Sequence, residues 1–461
     1  MNLRLFFSAT IASIILILAC KSPNEKAASF NKSENMNSFG LPEWAKNANI
    51  YEVNIRQYTP EGTFDAFRKH LPRLKNMGVD ILWFMPIFPI SDSKKKGSLG
   101  SYYAVSDFRA TNPKFGTMEE FKAVIEDAHR MGMKVILDWV PNHTGWDHVW
   151  IKNHPDYYTK DSLGNIIDPL NEHGKSMGWT DVADLNYDNR DMRKNAVDDM
   201  LFWLKEYKVD GFRHDMALLV PLDFWLETTP QLKAANPEIF MLAESEVHDH
   251  LNQGCFHAIY GWSLHHTLND IAKGKKNAGA IDEWYQNERP KAQKGNFMHF
   301  TSNHDENSWS GSEIERMGEA HKAFAVLVNT LDGIPLTYSG QEEPMPKRLE
   351  FFEKDDIGFK DYVYADFYKT LNTLKHENPA LWNGEYGGNI QRIIKNDNVF
   401  AFVREKDGNK VTVIINLSKH KQTVISDIAV SGTEVFSKSK KEIKAGDKID
   451  LLPWAYLIFK S

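Results

Sequence analysis

Residues 117–140 read TMEEFKAVIEDAHRMGMKVILDWV and hold one complete helix-to-strand unit. Thr117 and Glu120 have the T-x-x-E spacing at which a hydroxyl and a carboxylate cap a helix start reciprocally. Phe121, Val124, Ile125 and Ala128 then recur at three- and four-residue steps, which puts them on one helix face. Gly132 closes that pattern. The run 134–140 (KVILDWV) is short, apolar and strand-like.

The same unit recurs in both directions along the chain. Upstream, 50–58 (IYEVNIRQY) reads as a strand. Phe64, Phe67, Leu71 and Leu74 follow at helical spacing, Gly78 closes them, and 79–86 (VDILWFMP) is the next strand. Downstream, Val197, Leu201 and Leu204 mark a helix ahead of the strand 209–216 (VDGFRHDM). Further strand runs are 239–245 (IFMLAES), a weaker 256–261, 297–302 (FMHFTS) and 334–339 (IPLTYS). Strands alternating with helices imply parallel crossovers, and eight of them close as a (β/α)8 TIM barrel. The third and fourth strands are roughly 70 residues apart, where a single crossover needs about 30. The excess, about 144–189, is rich in Asn, Asp, Gly, His and Trp and reads as an inserted subdomain on the side of the strand ends. From 377 to 461 the pattern becomes short β runs, 399–404, 411–416, 422–425 and 454–459. These predict a C-terminal antiparallel β-sandwich domain, leaving 41–376 as the barrel with its insert.

Residues 1–20 read MNLRLFFSATIASIILILAC. A charged start, an apolar middle and small residues at the end are the pattern of a secretory signal. The apolar stretch is about 15 residues, short of the ~20 needed to span a bilayer. Leu18-Ala19-Cys20 resembles a bacterial lipoprotein signal, which implies a signal peptide over 1–19 and lipidation of Cys20. Lys21 follows the cysteine, and by the same resemblance this implies export across the inner membrane and an anchor in the outer membrane, on a face left open. Residues 20–40 are polar and read as a flexible tether.

Composition bounds the rest. Of 461 residues, 42% are hydrophobic and 25% charged, which is globular. A net charge of −7 argues against a nucleic-acid partner. Two cysteines, Cys20 and Cys255, exclude a disulfide framework and a Cys-rich zinc site. Cys255 reads as a buried inert thiol. His248-Asp-His250 reads as a solvated loop in preference to a metal site, and Lys94–Lys96 as solvated surface.

In a barrel, chemistry is placed at the carboxyl ends of the strands. There the sequence puts Asp138, with Asn142 and His143 beyond it, then Arg213 and Asp215, Glu244, and His304 with Asp305. No Gly-rich phosphate loop, no H-E-x-x-H and no paired histidines on the first strand accompany them. Paired carboxylates with a third helper match cleavage of a glycosidic bond, in which one attacks the anomeric carbon and the other protonates the leaving oxygen. Arg213 and Asp215 are two apart and share a strand face. The cation is therefore expected to lower the Asp215 pKa and keep it anionic. Glu244, with no cation beside it in sequence, is expected to hold its proton. Retention requires the two carboxyl groups about 5–5.5 Å apart.

These segments resemble a known set. D138-W-V-P-N-H143, G211-F-R-H-D215, A243-E244, F300-T-S-N-H-D305 and G333-I-P-L-T-Y-S-G-Q-E342 are similar, in order, to the motifs of the alpha-amylase family of retaining glycoside hydrolases. D184-L-N186 resembles its motif near the end of the insert, and 101–117 its second βα loop. The resemblance implies Asp215 as nucleophile, Glu244 as general acid/base and Asp305 as the third carboxylate. It implies Arg213 as the partner of the nucleophile, His143 and His304 as donors to sugar hydroxyls, and Tyr103 as the ring stacked on the sugar. Asp138 and Asn142 match supporting positions. The implied partner is an alpha-glucan: starch, glycogen or maltooligosaccharides cut at α-1,4 bonds. Alternatives within the family are an α-1,6-glucosidase, cyclomaltodextrinase, neopullulanase or glucan transferase, because VADLN at 182–186 lies between the branches of different linkage. A non-catalytic glucan-binding lipoprotein is the alternative of another class, and the presence of all three acids speaks against it. No cofactor or metal is assigned to the chemistry. Met216-Ala-Leu-Leu-Val220 replaces the Lys-His that many amylases carry after the nucleophile. A structural calcium stays open through Asn142 and the acids of the insert.

Overall fold

The computed structural model describes residues 40–171 and 173–461. The expected signal peptide, Cys20 and the tether through residue 39 lie outside the described residues.

Each strand run upstream of the C-terminal region becomes one short strand: β1 (Ile50–Val53), β2 (Ile81–Phe84) and β3 (Lys134–Trp139). The insert adds β4 (His143–Gly145) and β5 (Val182–Asp184). Then come β6 (Gly211–His214), β7 (Phe240–Ala243), β8 (Ala258–Tyr260), β9 (Asn296–Phe300) and β10 (Ile334–Tyr338). β4 and β5 pair with each other, antiparallel, outside the barrel. The other eight close in the order β1-β10-β9-β8-β7-β6-β3-β2, and every neighbouring pair is parallel. The helix Met118–Arg130 starts on the expected reciprocal cap between Thr117 and Glu120 and buries Phe121, Val124, Ile125 and Ala128.

The side-chain period of two sorts these strands. Ile50, Ile81, Ile136, Phe240 and Ala258 belong to one buried cluster that Leu41, Ala45 and Ala48 of the entering segment join. One pleat step further along the strands stand Glu52, Asp138 and Arg213, equally buried. The barrel is tight at Gly211, where a Cβ would sit 1.8 Å from the carbonyl oxygen of Phe240; glycine alone permits that approach.

The first strand is shorter than expected. It ends at Val53, and Ile55–Tyr58 is a helical turn. Apolar–polar alternation predicted a continued strand, but the polar side chains find partners at the end of β10 and in the loop after it. The Asn54 amide donates to the Tyr338 hydroxyl at 3.1 Å, Arg56 to the carbonyl of Phe351 at 2.9 Å, and Gln57 to that of Glu350 at 2.9 Å.

The C-terminal region comprises β11 (Gln391–Lys395), β12 (Val399–Lys406), β13 (Asn409–Asn416), β14 (Gln422–Ile425), β15 (Val430–Glu434), β16 (Lys440–Ile443), β17 (Lys448–Leu451) and β18 (Tyr456–Lys460). Six form a sheet, β11-β12-β13-β18-β15-β16, and β14 pairs with β17. Val399, Ala401, Ile414, Val424, Ile449 and Leu451 fill the space between. Buried Arg404 ties this layer to the barrel, donating to the carbonyls of Leu331 (2.7 Å) and Trp382 (2.9 Å). Among the described residues no helix is long and apolar enough to cross a membrane.

Candidate active site

Arg213 organises the mouth of the barrel. It points inward from β6 and is completely buried. Its Nη1 donates to Asp138 Oδ1 at 2.8 Å and to Asp215 Oδ1 at 3.1 Å, and its Nε to the Tyr260 hydroxyl at 3.0 Å. Its Nη2 lies 2.8 Å from Glu244 Oε2, which also accepts the backbone N–H of Met216 at 2.8 Å. One guanidinium thus serves three carboxylates from the ends of β3, β6 and β7, a use suited to its planar fork of donors.

No cation stands beside Glu244 in sequence, but Arg213 stands beside it in space. One expectation is corrected: the arginine does not leave Asp215 with a lowered pKa. Burial and the neighbouring Glu244 carboxyl raise it well above the usual carboxylate value, and Arg213 only offsets them. Burial likewise pushes Asp138 up to about 6 against the pull of Arg213. Three carboxylates crowd one cation, and the crowding makes ionisation of Asp215 costly. With Oδ1 held by Arg213, Asp215 Oδ2 has no hydrogen-bond partner among the described residues.

A second chain of contacts enters from the other side. The Tyr103 hydroxyl lies 3.1 Å from Asp138 Oδ2 and 2.7 Å from His304 Nε2. His304 Nδ1 meets Glu52 of β1 at 2.5 Å, and its Nε2 lies 3.2 Å from Asp305 Oδ2. Burial alone would lower the His304 pKa, but Asp305 and Glu52 outweigh it and raise it to about 9. His304 is therefore an imidazolium at neutral pH. His143, also buried, is lowered to about 4 by desolvation and is neutral there.

Tyr103, His143, Asp215, Glu244, His304 and Asp305 all line one cleft of about 400 Å³. Arg213 lies beneath it. Asn142 packs beside His143, with Nδ2 3.3 Å from the imidazole Nδ1. The sequence reading missed Glu52, Tyr260 and Trp83 under the cleft, and Trp179, Asp181 and Trp309 at its rim. The first three are inward positions of barrel strands, so the period of two marks them once closure is known. The rim residues carry no periodic signal. Lys96 was expected in solvent; it lines the cleft and pairs with Asp181 at 2.7 Å. His250 is likewise buried, not solvated, with Nδ1 2.8 Å from the Ser245 hydroxyl. Cys255 is buried, and its thiol pKa is pushed up to about 12 by desolvation.

Among the described residues no three His, Cys, Asp or Glu side chains are placed to share a metal ion. The Asn142 amide is turned to His143, and among the described residues no such group of three stands around it.

Comparison with known proteins agrees with the geometry. The chain is 28% identical to alpha-amylase MalA of Haloarcula japonica, over 87% of this chain and 59% of the relative. It is 27% identical to neopullulanase 2 of Thermoactinomyces vulgaris, over 86% of this chain and 73% of that one. The crystal structure of an alpha-amylase from Lactobacillus plantarum superposes with a TM-score of 0.79 at 28% identity, covering 91% of this chain and 99% of that one. The alpha-amylase catalytic domain matches residues 27–167 and 171–364. Together with a cleft of paired carboxylates at the carboxyl ends of a closed barrel, this places the chain in the alpha-amylase family of retaining glycoside hydrolases.

Proposed function

We propose that this enzyme cleaves α-1,4-glucosidic bonds in starch, glycogen or maltooligosaccharides by double displacement. The observation that carries this reading is Asp215, whose Oδ2 has no hydrogen-bond partner among the described residues, lining one cleft with Glu244 and Asp305. Asp215 Oδ2 attacks the anomeric carbon. The bond to the leaving oxygen breaks as Glu244 gives that oxygen its proton, and a glycosyl ester forms on Asp215. The Glu244 carboxylate then removes a proton from water, and the hydroxide displaces Asp215 with overall retention. Arg213 holds the nucleophile and the acid at the ends of one rigid fork. As Glu244 gives its proton to the leaving group, the Asp215 carboxylate is consumed into the ester, so charge around Arg213 stays balanced. Asp305 and the His304 imidazolium accept and donate to sugar hydroxyls, neutral His143 adds a donor, and Tyr103 offers a ring face.

The stretch VADLN at 182–186 keeps cleavage of α-1,6 bonds as the second reading. Amylose, pullulan and a cyclodextrin, digested in parallel, decide between them. Fast release of α-configured oligosaccharides from amylose is expected, and β-configured first products would exclude the double displacement. Release of maltotriose from pullulan, which requires cutting its α-1,6 bonds, would replace the α-1,4 assignment, and preference for the cyclodextrin would make the enzyme a cyclodextrin hydrolase.

We infer further that Cys20 carries a lipid anchor to the cell envelope, on the strength of the lipoprotein-like signal alone. Labelled palmitate should enter the wild-type chain and not a Cys20→Ser variant.

A further inference from the structure

Trp309 follows the third carboxylate, Asp305, by four residues and leaves 55% of its surface exposed. Its backbone is nonetheless fixed. It lies in the helical turn Glu306–Ser310, and the residues leading to it are each held. Glu306 Oε2 lies 3.0 Å from His265 Nε2. The Leu349 N–H donates to Asn307 Oδ1 at 2.8 Å, and the Ser308 hydroxyl donates to the Leu349 carbonyl at 2.9 Å. The turn is thus tied to the loop after β10, while the indole ring is left in water. One such ring alone means little, but a group of them beside a cleft marks a binding surface.

Trp309 belongs to such a group. Its ring centre lies 5.2 Å from that of Phe351 and 5.9 Å from that of Phe352. Phe351 in turn lies nearly parallel to Tyr103 of the cleft, 6.2 Å away. Gly97, at φ +62°, packs against this group so closely that a Cβ would come within 2.5 Å of the Phe352 Cβ. Trp309, Phe351 and Phe352 line the cleft and also a second depression of about 340 Å³, so the two spaces adjoin at these rings. At the edge of the depression stand Arg348, Glu350 and Glu353. Arg348 Nε is paired with Glu315 Oε2 at 3.0 Å, and Glu353 Oε1 accepts the Ser98 N–H at 2.7 Å. The depression therefore combines apolar ring faces with hydrogen-bonding groups around them. That combination suits a neutral ligand with C–H groups on its faces and hydroxyls at its edge, which is the build of a pyranose. A glucan longer than the two sugars joined at the scissile bond continues beyond them, and this depression adjoins the space they fill.

We propose that the depression over Trp309, Phe351 and Phe352 is a further sugar-binding subsite, which takes an additional glucosyl unit of the same alpha-glucan and makes the enzyme favour longer chains. The class of ligand rests on the hydrolase reading above. Trp309 supplies the face on which the sugar stacks and is a specificity-determining residue; it touches no reacting atom.

The test measures kcat/KM on maltotriose and on maltoheptaose for the full chain and for Trp309→Ala and Trp309→Phe variants. In Trp309→Ala the ratio of maltoheptaose to maltotriose should fall at least about fivefold, the effect of one lost stacking contact. Trp309→Phe keeps a ring face and should hold the ratio within about twofold of the wild type; a fall as large as that of the alanine variant would contradict stacking. An unchanged ratio in Trp309→Ala would overturn the subsite and leave the hydrolase reading intact. If the wild type cleaves neither sugar, the hydrolase reading fails, and binding alone decides the subsite. In titration calorimetry, maltoheptaose should bind an Asp215→Asn variant at least about fivefold more tightly than an Asp215→Asn, Trp309→Ala double variant; equal affinities would overturn the subsite whatever the turnover.

Discussion

Two layers of the same barrel strands have opposite physics. In the lower layer Ile50, Ile81, Ile136 and Phe240 are hydrocarbon, and their burial holds the barrel closed. One pleat step above, Glu52, Asp138 and Arg213 are just as inaccessible but charged. The lower layer needs only volume and apolarity. The upper layer has to desolvate several carboxylates, and a single guanidinium with tyrosine and tryptophan donors offsets that cost incompletely. The difference shows in the titration of the site: burial raises Asp138 and Asp215, and a cation does not bring them back down. The upper layer is held in place by the lower one and destabilises it, the usual relation between a site and its scaffold.

Substitutions that separate the layers sharpen this contrast. Asp215→Asn removes the attacking oxygen and should lower kcat by roughly 10^4-fold or more. Because it also removes a carboxyl whose ionisation burial opposes, its melting temperature should equal or exceed that of the wild type; a large drop in a calorimetric scan would contradict the picture of a strained upper layer. Phe240→Ala should do the reverse. It empties a fully buried position and should cost about 3–5 kcal/mol of stability in denaturant unfolding, while the folded fraction retains kcat within a few-fold.

The smallest effect concerns pH. Folded His304 keeps its proton up to about 9, whereas an unfolded histidine loses it near 6.5, about its ordinary value. Its contribution to stability is therefore full below the unfolded pKa and is lost as pH rises through about 9. Glu52→Gln deletes the anion behind the ring, so this loss should begin at lower pH. Unfolding midpoints followed from neutral to alkaline pH check it, and identical profiles for the two proteins would remove Glu52 from the account.

Much of the fold is legible because it is periodic. The helical face from Phe121 to Ala128 and the strand runs around Asp138 and Arg213 follow from local spacing. The one clear overreach, the strand extended through Tyr58, failed where alternation persisted but Asn54 bonded to the end of β10 and Arg56 and Gln57 to the loop after it. The C-terminal sheet was read from its four most apolar runs; β11 and β15 to β17 are half exposed and too polar to stand out.

The sequence by itself determined which acids stand at strand ends and that Arg213 and Asp215 share a face, because both facts follow from chain order and a two-residue period. Only the tertiary structure decided that the guanidinium also reaches Asp138 and Glu244, that Glu52 backs His304 from 252 positions away, and that Lys96 bridges to the insert. Those pairings arise when strands remote in sequence are brought side by side by closure of the barrel. The charge balance they create depends on burial and on interatomic distance, and neither is written in any local stretch of the chain.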